Sequence, residues 1–154
     1  MRKIAVLLFA LTSSSVYADE WTFETGIGVD YGFAGIQMGY NLPVKSLEAF
    51  LAIGLNQSFA RDSGQVISGG AGGKLWVNKY MALVAYGGVV KLESTGGYTP
   101  PGEPSSSEYK ATPGASLGVK FYFSGRRESG WTLGANYNQY KGGSYPFISV
   151  GYRY

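Results

Sequence analysis

Neither cysteine nor histidine occurs anywhere in the 154 residues. The first absence excludes disulfides, cysteine-ligated metal and a lipid-modified N-terminal cysteine. The second removes the commonest general base and the commonest metal ligand, so no metal, cofactor or catalytic residue is expected. Long apolar runs are missing too. The opening run, Ile4 to Leu11, falls far short of the ~20 residues that a spanning helix needs. Charge is sparse, at 15% of the chain, which is too little to coat a soluble barrel of this length.

That short run has a different reading. Arg2 and Lys3 precede it, small polar residues follow at Thr12 to Ser15, and Val16-Tyr17-Ala18 offers a small-x-small cleavage site before Asp19. This is the layout of a secretory signal peptide, so residues 1–18 are expected to be removed, leaving 19–154 as one domain. The sequence pI of about 9.0 then carries little weight. Loss of Arg2 and Lys3 leaves eleven basic against ten acidic residues, with no basic run, and no nucleic-acid partner is expected.

Glycine and tyrosine are abundant, at 24 and 13 residues, without a collagen period or a low-complexity tract. That combination suits many short, closely packed strands. After residue 18 no stretch keeps a helical period, whereas eight stretches alternate with period two. Trp21 to Tyr31 sets Phe23, Thr25, Ile27, Val29 and Tyr31 against Glu24, Gly26, Gly28 and Asp30. Gly35 to Leu42 sets Ile36, Met38 and Tyr40 against Gln37 and Gly39, and Glu48 to Phe59 sets Ala49, Leu51, Ile53, Leu55 and Phe59 against Ala52 and Gly54. Ile67 to Val77 sets Ala71, Leu75 and Val77 against Ser68, Gly70, Gly72, Lys74 and Trp76. Tyr80 to Leu92 is apolar on both faces. Gly114 to Ser124, Trp131 to Tyr140 and Pro146 to Tyr154 complete the set.

Most of these segments are longer than the ~5–6 residues of an ordinary soluble strand and suit the ~9–11 of a tilted strand crossing a bilayer. The links after strands two, four and six are tight, and those after three, five and seven are looser, as in outer-membrane barrels. In hydrocarbon every backbone N–H and C=O needs a partner within the protein, and a chain without spanning helices meets this by closing a sheet. The predicted fold is therefore all-β: an eight-stranded antiparallel up-and-down transmembrane β-barrel, with apolar residues facing lipid and glycine, polar and charged residues facing inward. Trp21, Phe23, Tyr40, Tyr80, Phe121, Phe123, Trp131, Tyr152 and Tyr154 would form one aromatic girdle, and Tyr31, Phe33, Phe59, Tyr137 and Tyr145 the other. A lipocalin-like soluble barrel, with the faces reversed, is the competing architecture.

The last strand carries a resemblance. Ile148, Val150, Tyr152 and Tyr154 alternate and end on an aromatic, which resembles the C-terminal assembly signal of Gram-negative outer-membrane proteins. Gly151-Tyr152-Arg153-Tyr154 is similar to the ending of the small eight-stranded barrels of the OmpX/Ail/OmpA-like superfamily. The resemblance implies export to the outer membrane, insertion by the barrel-assembly machinery, outer-membrane lipid as surroundings, and a structural or surface-binding role.

Parity places Glu24, Asp30, Glu48, Lys74, Lys120 and Arg153 inside. The lumen of an eight-stranded barrel is just filled by side chains, and charges there avoid the cost of isolation by pairing. A network of Glu24, Glu48, Lys74, Lys120 and Arg153 is predicted, with Gln37, Asn136 and Tyr122 as further partners and the lumen glycines giving room to long side chains. Gly69 to Lys74 has the look of a phosphate loop but lacks the following Ser/Thr and the strand–loop–helix setting. The longest link is rich in Pro, Ser and Gly. Its Tyr98, Pro100, Pro101, Glu103, Glu108 and Tyr109 are the candidate contacts for an extracellular ligand. Two other functions compete: a narrow pore or lateral route for a small molecule, and a lipid-modifying enzyme, which the missing histidine disfavours.

Overall fold

The computed structural model describes residues 20–44, 46–56, 66–94 and 109–154. Residues 1–18, expected to be a signal peptide, therefore lie outside the described residues, as does Phe59. Eight strands follow in order: β1 Trp21–Gly28, β2 Phe33–Asn41, β3 Leu47–Asn56, β4 Val66–Asn78, β5 Met81–Ser94, β6 Tyr109–Tyr122, β7 Gly130–Tyr140 and β8 Gly143–Arg153. Each pairs antiparallel with its neighbours, and β8 returns to β1, so the sheet is a closed up-and-down barrel. At the seam Glu24–Ile27 face Arg153–Val150, and Tyr154 N–H donates to the Phe23 carbonyl at 2.9 Å. The terminal aromatic row is thus the closing strand.

Register fixes the shape. Stepping from partner to partner, Glu24 leads through Gln37, Ala52, Gly70, Gly88, Gly114 and Tyr140 to Gly143 of β8. The seam partner of Glu24 is Arg153, ten residues farther along the same strand. A stagger of ten over eight strands sets the strand tilt at about 40–45°. We call the end with the short links after β2, β4 and β6 the turn end, and the opposite one the loop end.

Alternation sorts the side chains as the sequence implies over most of the wall. Ile27, Ile67, Leu117 and Ile148 point outward and are 64–69% exposed, while Glu24, Gln37, Glu48, Lys74, Lys120 and Arg153 point inward and are buried. Trp21, Phe23, Tyr80, Phe121, Phe123, Trp131 and Tyr154 form an exposed aromatic ring at the turn end.

Three departures stand out. First, β1 stops at Gly28. Val29–Tyr31 form a 3-10 turn folded into the lumen, so Val29 and Tyr31 are fully buried rather than outward, and Tyr31 is no girdle residue. The interior offers Asp30 and Tyr31 charged partners that the outside lacks. The Tyr31 ring lies where Gly26 and Gly151 carry no side chain; a Cβ on Gly26 would come within 2.6 Å of the ring. Gly32 and Phe33 both take positive φ, 69° and 77°, to bring the chain back to the wall. Second, Phe33 and Tyr145, expected in the loop-end girdle, pack against an inner cluster instead. Third, that cluster is apolar: Val29, Phe50, Ala52, Val84, Tyr86 and Val90 fill the loop-end half of the lumen, with Trp76, Ala82 and Tyr122 at the turn end. The expectation was a lumen mainly of glycine, polar and charged residues, with strand five the one segment apolar on both faces. Eight strands enclose too little space for water-solvated groups, so apolar side chains above and below the charges complete the packing.

β5 and β6 reach Ser94 and Tyr109, beyond their sequence bounds, with a bulge between Val89 and Lys91. β8 begins at Gly143, which shrinks the expected Lys141–Tyr145 link to a two-residue turn.

Candidate functional site

Five different strands contribute the charged centre of the lumen: Glu24 from β1, Glu48 from β3, Lys74 from β4, Lys120 from β6 and Arg153 from β8. Two pairs follow directly from register, Glu48 opposite Lys74 and Glu24 opposite Arg153. The rest reach across the barrel. Lys74 Nζ lies 2.6 Å from Glu24 Oε1 and 2.9 Å from Glu48 Oε1. Arg153 contacts Glu48 Oε2 at 3.0 Å and Glu24 Oε1 at 3.4 Å. Lys120 Nζ lies 3.4 Å from Glu24 Oε2.

The structure adds Asp30, Tyr31, Thr22 and Trp76 to the network and places the predicted partners Gln37, Asn136 and Tyr122 in contact with it. Asp30, carried inward by the 3-10 turn, forms an ion pair with Lys120. It makes the set three acids and three bases, electrically neutral. Gln37 Nε2 donates to the Asp30 carbonyl at 2.6 Å, and Asn136 Nδ2 lies 3.4 Å from Asp30 Oδ1. Tyr31 donates to Glu24 Oε2 at 2.9 Å and Tyr122 to Glu24 Oε1 at 3.1 Å. Thr22 and Trp76 donate to Glu48 at 3.0 and 3.3 Å. Trp76 shared the inward parity of Lys74 two residues earlier, so its place was readable. Tyr31 was not, because its alternation continues that of β1.

Taking six charges out of water is costly unless every lone pair and proton is met. Both oxygens of Glu24 and both of Glu48 accept from a cation and from a neutral donor. Aromatic faces shield the cations, with Lys120 Nζ 4.2 Å from the Tyr31 centroid and Arg153 5.2 Å from that of Trp76. The result is an ionic layer between two apolar ones, with both oxygens of Glu24 and of Glu48 engaged.

At the turn end, outside the strands, Arg126 stacks 5.1 Å from the Trp76 centroid and donates to Asn41 at 2.9 Å. Partial burial lowers its guanidinium pKa from the ordinary value, with Glu48 opposing; a guanidinium stays charged at neutral pH regardless.

Of the surface-loop candidates, Tyr98, Pro100, Pro101, Glu103 and Glu108 lie outside the described residues, and Tyr109 opens β6 opposite Ser94. Ile148, Val150, Tyr152 and Tyr154 form one outward row on the closing strand, where the Tyr152 ring meets Trp131 at 5.6 Å and Tyr154 at 5.1 Å between centroids.

Fold and lumen together define a closed eight-stranded antiparallel barrel with a filled, ion-paired interior. Comparison with protein-family models, curated proteins and solved structures gave no match.

Proposed function

We propose that the chain is an integral outer-membrane β-barrel of a Gram-negative envelope, of the small eight-stranded kind to which OmpX, Ail and OmpA belong. In this reading residues 1–18 direct export, and the outward row ending at Tyr154 is what the barrel-assembly machinery recognises. The observation that carries the proposal is sidedness. Large apolar side chains cover the outside, with Leu51, Ile53, Ile67 and Ile148 all more than half exposed, while six paired charges sit inside. A soluble barrel has the opposite arrangement, and an exposed apolar belt of this extent needs a cover. The exposed aromatics at the turn end suit a membrane interface.

The role we assign is non-enzymatic: support of the envelope, or binding of an extracellular ligand through the loop-end links, the longest of which carries Tyr98, Pro100, Pro101, Glu103 and Glu108. A lumen blocked across its middle by the ionic layer favours the outer surface over conduction as the seat of function, and a chain without histidine cannot build a serine–histidine dyad. The test is fractionation followed by electrophoresis with and without boiling. The protein is expected in the outer-membrane fraction, with unboiled material running at a different mobility from boiled. A soluble periplasmic protein with one mobility would refute the reading.

A further inference from the structure

The barrel wall is incomplete at the loop end of the seam. β1 leaves the wall at Gly28, but β8 continues upward through Ile148 to Gly143, paired only with β7. Those six residues span roughly 14 Å along the axis at the usual rise and tilt. Because Tyr154 N–H bonds to β1, the even-numbered residues of β8 direct their backbone groups to that side. Ile148, Pro146 and Ser144 therefore form an edge that no described strand covers. Proline in the middle of it has no N–H to offer, a feature of edges that do not accept another strand.

The walls of this notch are apolar on both faces. Ile148 is 69% exposed on the outside, so the notch starts within the outward apolar belt. On the inside Phe33, Tyr145 and Phe147 are only partly buried and lead to the cluster of Val29 and Val90. Tyr145 crosses the lumen to donate to the Val90 carbonyl. Beside it in the β7–β8 pairing stands Asn138, fully buried, with neither amide atom hydrogen-bonded among the described residues. A buried amide in that state is costly and points to a polar group supplied from elsewhere.

We propose that this notch admits one acyl chain of a bilayer lipid from the side, its methylenes against Phe33, Tyr145 and Phe147, with the Tyr145 ring swinging aside to let its ester reach the buried Asn138. The proposal rests on the membrane reading above. Chain chemistry fits because the notch opens from the apolar belt, and the carboxylate at its foot, Asp30 beside Gly28 and Ser149, is buried and paired with Lys120. Strand addition by a second protein does not fit the proline edge.

The test uses the protein reconstituted in phosphatidylcholine vesicles containing a phosphatidylcholine with a diazirine on one acyl chain. Irradiation, digestion and mass spectrometry then read which residues are labelled. The expected result is label on outward Ile148 and on inward Tyr145 and Phe147, none on Trp76 and Tyr122 at the other end of the lumen, and loss of the inward label in Asn138→Leu. Label on Ile148 without Tyr145 or Phe147 overturns the notch and leaves the membrane reading standing. Label on Trp76 and Tyr122 as well means entry through the barrel ends and overturns lateral admission. Inward label that survives Asn138→Leu overturns the ester contact. No label on any outward residue overturns both proposals.

Discussion

Replacing Glu24 with glutamine keeps the volume of the side chain and removes the charge that three cations share. Lys74, Lys120 and Arg153 all lie within 3.4 Å of its carboxylate. After Glu24→Gln the lumen holds Asp30 and Glu48 against three bases, a net charge of plus one in a closed interior. At an effective dielectric of about 20, each lost contact is worth roughly 5 kcal/mol of gross attraction. Removing the carboxylate also lifts its own desolvation penalty of several kcal/mol. The balance for breaking a buried pair on one side is about 3–5 kcal/mol, a large share of the roughly 5–15 kcal/mol that holds a domain folded. Urea unfolding in lipid vesicles, followed by tryptophan fluorescence, reads the loss as a lower midpoint at unchanged slope. The Glu24→Gln/Lys74→Gln double variant is the sharper measurement. It restores neutrality and keeps the Lys120–Asp30 and Arg153–Glu48 pairs, so it is expected to unfold at a higher urea concentration than Glu24→Gln alone. A double variant that loses the sum of the two single losses would refute charge balance as the organising term, as would an unchanged Glu24→Gln midpoint.

Gly26→Val places a side chain where the Tyr31 ring sits, with its Cβ 2.6 Å from both the ring and the Val150 carbonyl. Overpacking of this kind costs about 1–3 kcal/mol, so the urea midpoint should fall, and a wild-type midpoint would contradict the inward turn. Phe33→Gly sets two effects against each other. Relief of the φ of 77° returns about 1 kcal/mol or a little more, whereas the ring, packed against the inner cluster, loses up to about 2 kcal/mol of burial. Packing wins by this reckoning, and a more stable glycine variant would show that strain dominates at that position.

Strand number, order and sidedness were legible because alternation survives in almost every segment: Ile148 and Arg153, or Leu75 and Lys74, differ in parity and in fate. All six buried charges of the lumen followed from the same rule, although Asp30 was left out of the predicted network. The inward turn was not legible, since Val29 and Tyr31 continue the odd-numbered apolar row of β1 without a break. What removes them from the wall is tertiary: an ion pair between Asp30 and Lys120, ninety residues apart, and two glycines on separate strands that leave space for one ring. Gly28 and Gly32 on either side of Asp30 were the local hint. β5 was ambiguous for a related reason. Its inner face carries Val84, Tyr86 and Val90 and its outer face Leu83 and Ala85, so both environments are apolar and period two has no contrast to show.

The ionic layer draws on the first and last strands as well as three between them. Its neutrality therefore exists only when the chain has closed on itself in one registration. A slip of one residue at the seam turns Arg153 out of the lumen and Tyr152 into it, leaving Glu24 and Glu48 short of one guanidinium. Sliding by two keeps the parity but moves Arg153 about 7 Å along the strand, out of reach of both carboxylates. The six charges act as a checksum on closure, readable by the protein itself in the final step of its assembly.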